Sequence, residues 1–124
     1  MAAEVSVNLL LQLIGLDKDI SVPQRGTDGT APTSTTGLAT RTLAVADTAE
    51  ALDLGGVTTV QGILIWANDY DLDIDTSFVA AFNAEQTVEA GELPVLIVNP
   101  GGTVYVNGNV NTETPSYTYI VWGT

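Results

Sequence analysis

The 124-residue chain has no cysteine and no histidine. Without cysteine, disulfides, zinc thiolates and thiol nucleophiles are excluded. Without histidine, the commonest general base and the commonest transition-metal ligand are missing too. Cations are nearly absent: three Lys and Arg stand against fifteen Asp and Glu, for a net charge of −12. All three, Lys18, Arg25 and Arg41, lie in the first third of the chain. From Thr42 to Thr124 there are eleven acids and no base. Such a body repels nucleic acid and anionic membrane surfaces, and its charge favours solubility. Neither nucleic acid nor membrane is expected as a partner. Long apolar runs are also missing. The stretch Leu9 to Leu16 is interrupted by Gln12 and Gly15 and is preceded by Glu4 rather than by a basic segment. It is far short of the ~20 residues that span a bilayer, and no standard N-terminal export signal is expected.

What remains is a strand-rich pattern. Val5, Val7, Leu9, Leu11 and Leu13 alternate with mostly polar neighbours, which reads as one half-buried strand. A second short strand follows in "KDISVPQ", edged or ended by Pro23. The polar run Gly26 to Gly37, "GTDGTAPTSTTG", has no side chain larger than Pro or Asp. It cannot offset its own ordering entropy, so a flexible surface loop is expected over 26–37. "ATRTLAV" resumes strand character, and "DTAEALDLGGV" holds a helix-compatible piece before a Gly-Gly turn. "VQGILIWAN" and "ELPVLIV" are apolar runs of buried-strand type, "TVYVNGNV" alternates, and "SYTYIVWGT" ends the chain within a strand. Strands every 8–12 residues, separated by Gly, Pro, Asn and Asp, predict an all-β fold. The expectation is one antiparallel β-sandwich or jelly-roll-like domain over residues 1–124, with an N-terminal strand region at 1–25.

Catalysis has few candidates. A Ser/Lys pair has only Lys18 to draw on, and Asp17 and Asp19 beside it raise rather than lower its pKa. The glycines at 55, 56, 101 and 102 sit in turns between strands rather than in a phosphate-binding strand-to-helix loop. No enzyme, catalytic residue or cofactor is predicted. The run "ANDYDLDIDTS" raises the question of a cation. Asp69, Asp71 and Asp73 match the first three ligands of an EF-hand loop, but Ile74 replaces its glycine and Ala80 its closing glutamate. Alternation instead points Tyr70, Leu72 and Ile74 at the core and Asp69, Asp71, Asp73 and Asp75 at solvent, on one arm of a hairpin after Trp66. Carboxylates ~7 Å apart in water repel by about 0.6 kcal/mol, so no cation is needed. A cation there would require ligands from a neighbouring loop or subunit. Trp66 and Trp122 are expected in packing. The alternative use of the aromatics is a sugar-stacking platform, with Tyr105, Tyr117 and Tyr119 as contributors.

Three stretches carry a resemblance: "AEALDLGGVTTVQGILIWANDYDLDID", "VEAGELPVLIVNPGGTVYVNGN" and "YTYIVWGT". Over about residues 42–124 the chain resembles the auxiliary capsid proteins of tailed bacteriophages, also called decoration or cement proteins. The likeness lies in the turns Leu52 to Gly55 and Ala90 to Glu92, and in the strands Ile63 to Asn68, Val95 to Val98, Gly101 to Val106 and Tyr119 to Trp122. The polar 26–37 segment and the aspartate run depart from the pattern. The resemblance implies a β-sandwich or jelly-roll body without catalysis, made in the host cytoplasm and bound to the outer capsid surface. Its implied partner is the major capsid protein, and trimers are its implied assembly. Charge placement adds Lys18, Arg25 and Arg41 as contacts to capsid or subunit. Two alternatives stand beside it: another virion component (tail, fibre or head-tail connector) and a carbohydrate-binding β-sandwich module.

Overall fold

Eleven strands make up the computed structural model, which describes residues 3–15, 19–27 and 29–124. The strands are β1 (Ser6–Leu13), β2 (Ile20–Thr27), β3 (Ser34–Thr35), β4 (Ala39–Thr42), β5 (Glu50–Ala51), β6 (Val60–Ala67), β7 (Leu72–Phe78), β8 (Gln86–Val88), β9 (Val95–Val98), β10 (Thr103–Gly108) and β11 (Ser116–Gly123). Every pairing is antiparallel, and no helix forms among the described residues. The all-β, antiparallel class read from the sequence is the class observed.

The chain divides into two compact units, Met1–Pro32 and Thr33–Thr124. The first holds the hairpin β1–β2. The second, the body, is a β-sandwich. One of its sheets has the order β5-β10-β7-β8. In the other, β11 is flanked on one side by β6 and then β9, and on the other by β3 and β4 in turn. Alternation explains the core. Ile63, Ile65 and Ala67 of β6 and Tyr117, Tyr119 and Val121 of β11 turn inward from one sheet. Leu72 and Ile74 of β7 and Val104 and Val106 of β10 meet them from the other. Fully burying a side chain of this size contributes about 1.5–3 kcal/mol.

Three buried aromatics need special accommodation. Tyr117 and Tyr119 are buried, and their hydroxyls donate to the Glu50 carboxylate and the Asp53 carbonyl, each at 2.8 Å. Burial first, and the hydrogen bond to Glu50 second, push the Tyr117 phenol well above its usual range. Trp122 lies across Gly62 of β6: a Cβ there would stand 2.1 Å from the indole Cζ2. Glycine at 62 is therefore what lets the indole approach the neighbouring strand.

Several local expectations need correction. "DTAEALDLGGV" forms no helix. Glu50–Ala51 pairs with β10, the Leu52 amide donates to the Val104 carbonyl, and Leu52 is buried. Sheet pairing and burial override its helix propensity. The polar segment 26–37 is not one loop. Gly26 and Thr27 belong to β2, and Ser34–Thr35 pairs with the end of β11. The amides of Thr33 and Thr36 also donate to β11 carbonyls. The expected arm after Trp66 is not a hairpin: β6 pairs with β11 and β9, whereas β7 pairs with β10 and β8 in the other sheet. β9 is an edge strand, with Val98 exposed, rather than a buried one. Of the two readings of Pro23, the strand does not end there: β2 continues through it as an edge strand.

Candidate functional site

The most informative surface is the N-terminal hairpin. Its register sets Leu13 opposite Ile20, Leu11 opposite Val22, Leu9 opposite Gln24 and Val7 opposite Gly26. Directly paired residues in an antiparallel ladder share a face. One face is thus Val7, Leu9, Leu11, Leu13, Ile20 and Val22, with Gln24 and Gly26 at its end. The other carries Ser6, Asn8, Gln12, Ser21, Arg25 and Thr27, with Leu10 against Pro23. The alternation predicted for β1 is present, but the cover is not. Leu9 is 54% and Leu11 57% exposed, and Leu13, Ile20 and Val22 are exposed as well. Covering five half-exposed aliphatic side chains contributes about 1 kcal/mol each. A lone two-stranded hairpin is marginal in water and needs further strands or a packed face to be stable. The sequence carried this signal in two places, the odd positions 5–13 and the pair Ile20 and Val22; what it lacked was the register joining them.

The two described contact cations belong to different units. Arg25 sits in β2, on the polar face opposite Asn8. Lys18 lies outside the described residues. Arg41 sits in β4, and its guanidinium donates to Asp53 Oδ2 at 2.6 Å in an exposed ion pair. The Gly55 amide, donating at 2.9 Å, and then Arg41 hold the Asp53 carboxyl below its usual range. Arg41 and Asp53 line an open cleft of about 590 Å³ with Thr36, Ala39, Thr40 and Tyr119.

The aspartate run is not a solvated strand face. Asp69 and Asp71 precede β7, in the segment that crosses between the sheets, and Tyr70 is exposed rather than core. Each carboxylate accepts from a different piece of chain. Asp69 takes the Ser116 and Tyr70 amides at 2.7 and 2.9 Å. Asp71 takes the Ala90 amide at 2.8 Å. Asp73 takes the Thr87 hydroxyl at 2.7 Å and the Asn109 side-chain Nδ2 at 3.1 Å. Asp75, only 1% exposed, takes the Ser77 amide on one oxygen and the Asn83 amide on the other, both at 2.9 Å. Irregular backbone leaves N–H groups without ladder partners, and short acidic side chains accept from them locally. Asp69, Asp71 and Asp75 are therefore backbone anchors, whereas Asp73 holds side chains of β8 and of the loop after β10. Glu85 belongs to the same corner: the Ser77 hydroxyl, then the Thr76 hydroxyl and amide, donate to it and hold its pKa at about 2. Among the described residues, no three such side chains converge as a metal site.

Of the aromatics proposed as a sugar platform, Tyr117, Tyr119 and Trp122 are buried. A different cleft, of about 620 Å³, lies between the loops after β7 and β10, lined by Asp47, Phe78, Phe82, Asn107, Asn109 and Asn111. Phe78 stacks on Tyr105 with ring centroids 3.7 Å apart. The sequence reading missed these phenylalanines: Phe78 ends β7 and Phe82 lies in the loop after it, where strand alternation gives no signal. Compared with known protein families, curated proteins and solved structures, the chain matches none of them. No helix of the described residues is long and apolar enough to cross a membrane.

Proposed function

We propose that the protein is a non-enzymatic structural component of a bacteriophage virion, which binds the outer surface of the capsid and reinforces the contacts between capsomers. The observation that carries this reading is the pairing of an apolar hairpin face with a strongly acidic body. The face offers several aliphatic side chains for burial against a partner protein. The body, with eleven acids and one base from Thr33 to Thr124, carries the charge that favours solubility before assembly. The resemblance of residues 42–124 to decoration proteins supplies the capsid as partner and the virion as location. Arg25, on the hairpin, is the better placed of the described cations for an electrostatic contact, since Arg41 is already paired with Asp53. Arg25→Glu is expected to weaken co-sedimentation with capsids that lack the protein, and more so at low salt. Arg41→Glu is expected to weaken it less. A greater loss from charge changes at Asp69 or Asp73 would overturn this assignment of the docking side.

The cleft beside Phe78 and Phe82 favours a second reading, a module that binds neutral glycans. Aromatic rings accept the apolar face of a sugar, and amides and carboxylates pair with its hydroxyls. A glycan array with the wild type and with Asn109→Ala tests it. Binding that this variant abolishes supports the module, and an empty array removes it.

A further inference from the structure

The free edge of β1 is an anomaly for a soluble protein. Ser6–Leu13 is eight residues long, and contains no charge, no proline and no glycine. Among the described residues its one pairing is with β2, on its other side. Natural proteins blunt such edges with charges, proline or a covering element, because an open row of N–H and C=O groups recruits another strand. β2 is blunted in this way: it carries Pro23 and Arg25. β1 is not.

The sequence of β1 says what would cover it. "VNLLLQL", Val7 to Leu13, reads the same in polarity from either end, with Leu10 at its centre. Antiparallel pairing about that centre sets Leu9 against the partner's Leu11, Val7 against the partner's Leu13, and Asn8 against the partner's Gln12. Leu10 meets the partner's Leu10 on the axis. Every apolar side chain meets an apolar one, and amide meets amide, able to donate and accept in both directions. A shift of two residues either way places an amide opposite an aliphatic side chain. A shift of one sends the apolar set to the wrong face.

We propose that β1 pairs antiparallel with β1 of a second copy of this chain about a two-fold axis at Leu10, forming a four-stranded sheet with β2 on both outer edges. The contact is isologous and closes on itself, and Pro23 and Arg25 stop further growth. Both apolar faces fall on the same side of the sheet. Together they form a platform roughly 26 Å by 19 Å, from eight residues per strand and four strands, about 500 Å² in projection. This inference does not rest on the capsid reading, although it doubles the surface that reading uses. It gives a dimer where the resemblance implies a trimer.

The full chain is measured in the absence of any capsid by sedimentation velocity across a micromolar concentration series. A reversible monomer–dimer equilibrium is expected. The chain has no native cysteine, so register is read by disulfide trapping. Paired Cα atoms ~4.5–5.5 Å apart suit a disulfide. Leu10→Cys is expected to form a covalent dimer under mild oxidation at least about tenfold faster than Val79→Cys, an exposed body position, because pairing raises the effective thiol concentration. Asn8→Cys mixed with Gln12→Cys is expected to give the mixed disulfide in preference to either self-disulfide. Leu10 is itself exposed, so its replacement leaves the fold intact. A monomer at every concentration, a trimer, or equal trapping rates at positions 10 and 79 would overturn the proposal. None of these results touches shell binding, which has its own assay, and a failure to bind shells would leave the dimer standing.

Discussion

Replacing Asp75 by asparagine separates two accounts of the aspartate run by sign. If the run were a solvated face, neutralising one carboxylate would relieve repulsion and slightly stabilise the protein. In the structure, Asp75 is buried and both of its oxygens accept a backbone N–H, from Ser77 and from Asn83. Asparagine has one acceptor oxygen and one NH₂ group. In either orientation its NH₂ faces a backbone donor, which is left unpaired. A buried donor without a partner costs about 1–3 kcal/mol, and bonds to a charged acceptor lie at the upper end, so the expected loss is about 2–3 kcal/mol. For a domain the size of the body (residues 33–124), each kcal/mol corresponds to roughly 4–8 °C in Tm. The expected fall is therefore at least about 8 °C. Urea unfolding at pH 7, followed by the fluorescence of Trp66 and Trp122, gives the stability, and a thermal melt gives the Tm. An Asp75→Asn protein as stable as the wild type, or more so, would refute the anchor account.

Gly62→Ala forces a Cβ into the indole of Trp122. Overpacking of this kind costs roughly 1–3 kcal/mol, with a red-shifted tryptophan emission as the indole is displaced. An unchanged spectrum and an unchanged urea midpoint would contradict the packing described. Glu85 carries a pH dependence. Its folded pKa is lowered to about 2 by the Ser77 and Thr76 donors, so its contribution is fully present above the ordinary glutamate pKa of about 4.3 and is lost as the pH falls through about 2. Between pH 5 and about 2, the urea midpoint of Glu85→Gln is expected to fall less than that of the wild type. Parallel curves over that window would show that the two hydroxyls do not hold the carboxylate.

Much of the body was legible because its strands obey simple rules. β6, β10 and β11 carry their own periodicity, although Asn107 and Gly108, read as a stop, still pair with β7 as the end of β10. Pairing was not legible. Nothing local reveals that β7 leaves the sheet of β6, and this crossing is what turns Asp69 and Asp71 from strand residues into anchors for the loops at Ser116 and Ala90. Asp75 looked solvated because its alternation was right, while the chain around Asn83 that covers it lies in an irregular segment with no periodic signal. The hairpin failed in the opposite direction. The pattern of β1 announced a half-buried strand, but burial is a property of contacts, and among the described residues that face is exposed. The helix-compatible piece of "DTAEALDLGGV" became strand at Glu50–Ala51, because Glu50 and Leu52 find partners in β11 and β10.

The hairpin is the centre of the functional account, and one measurement addresses it. The double variant Leu9→Ser, Leu11→Ser is compared with the wild type for co-sedimentation with capsids that lack the protein, with the thermal melt of each purified protein recorded alongside. The account predicts saturable binding and a raised capsid melting temperature for the wild type. For the variant it predicts loss of binding, while the body, whose core includes neither residue, keeps its melting transition. Binding by the variant equal to that of the wild type, or no binding by the wild type, would contradict it.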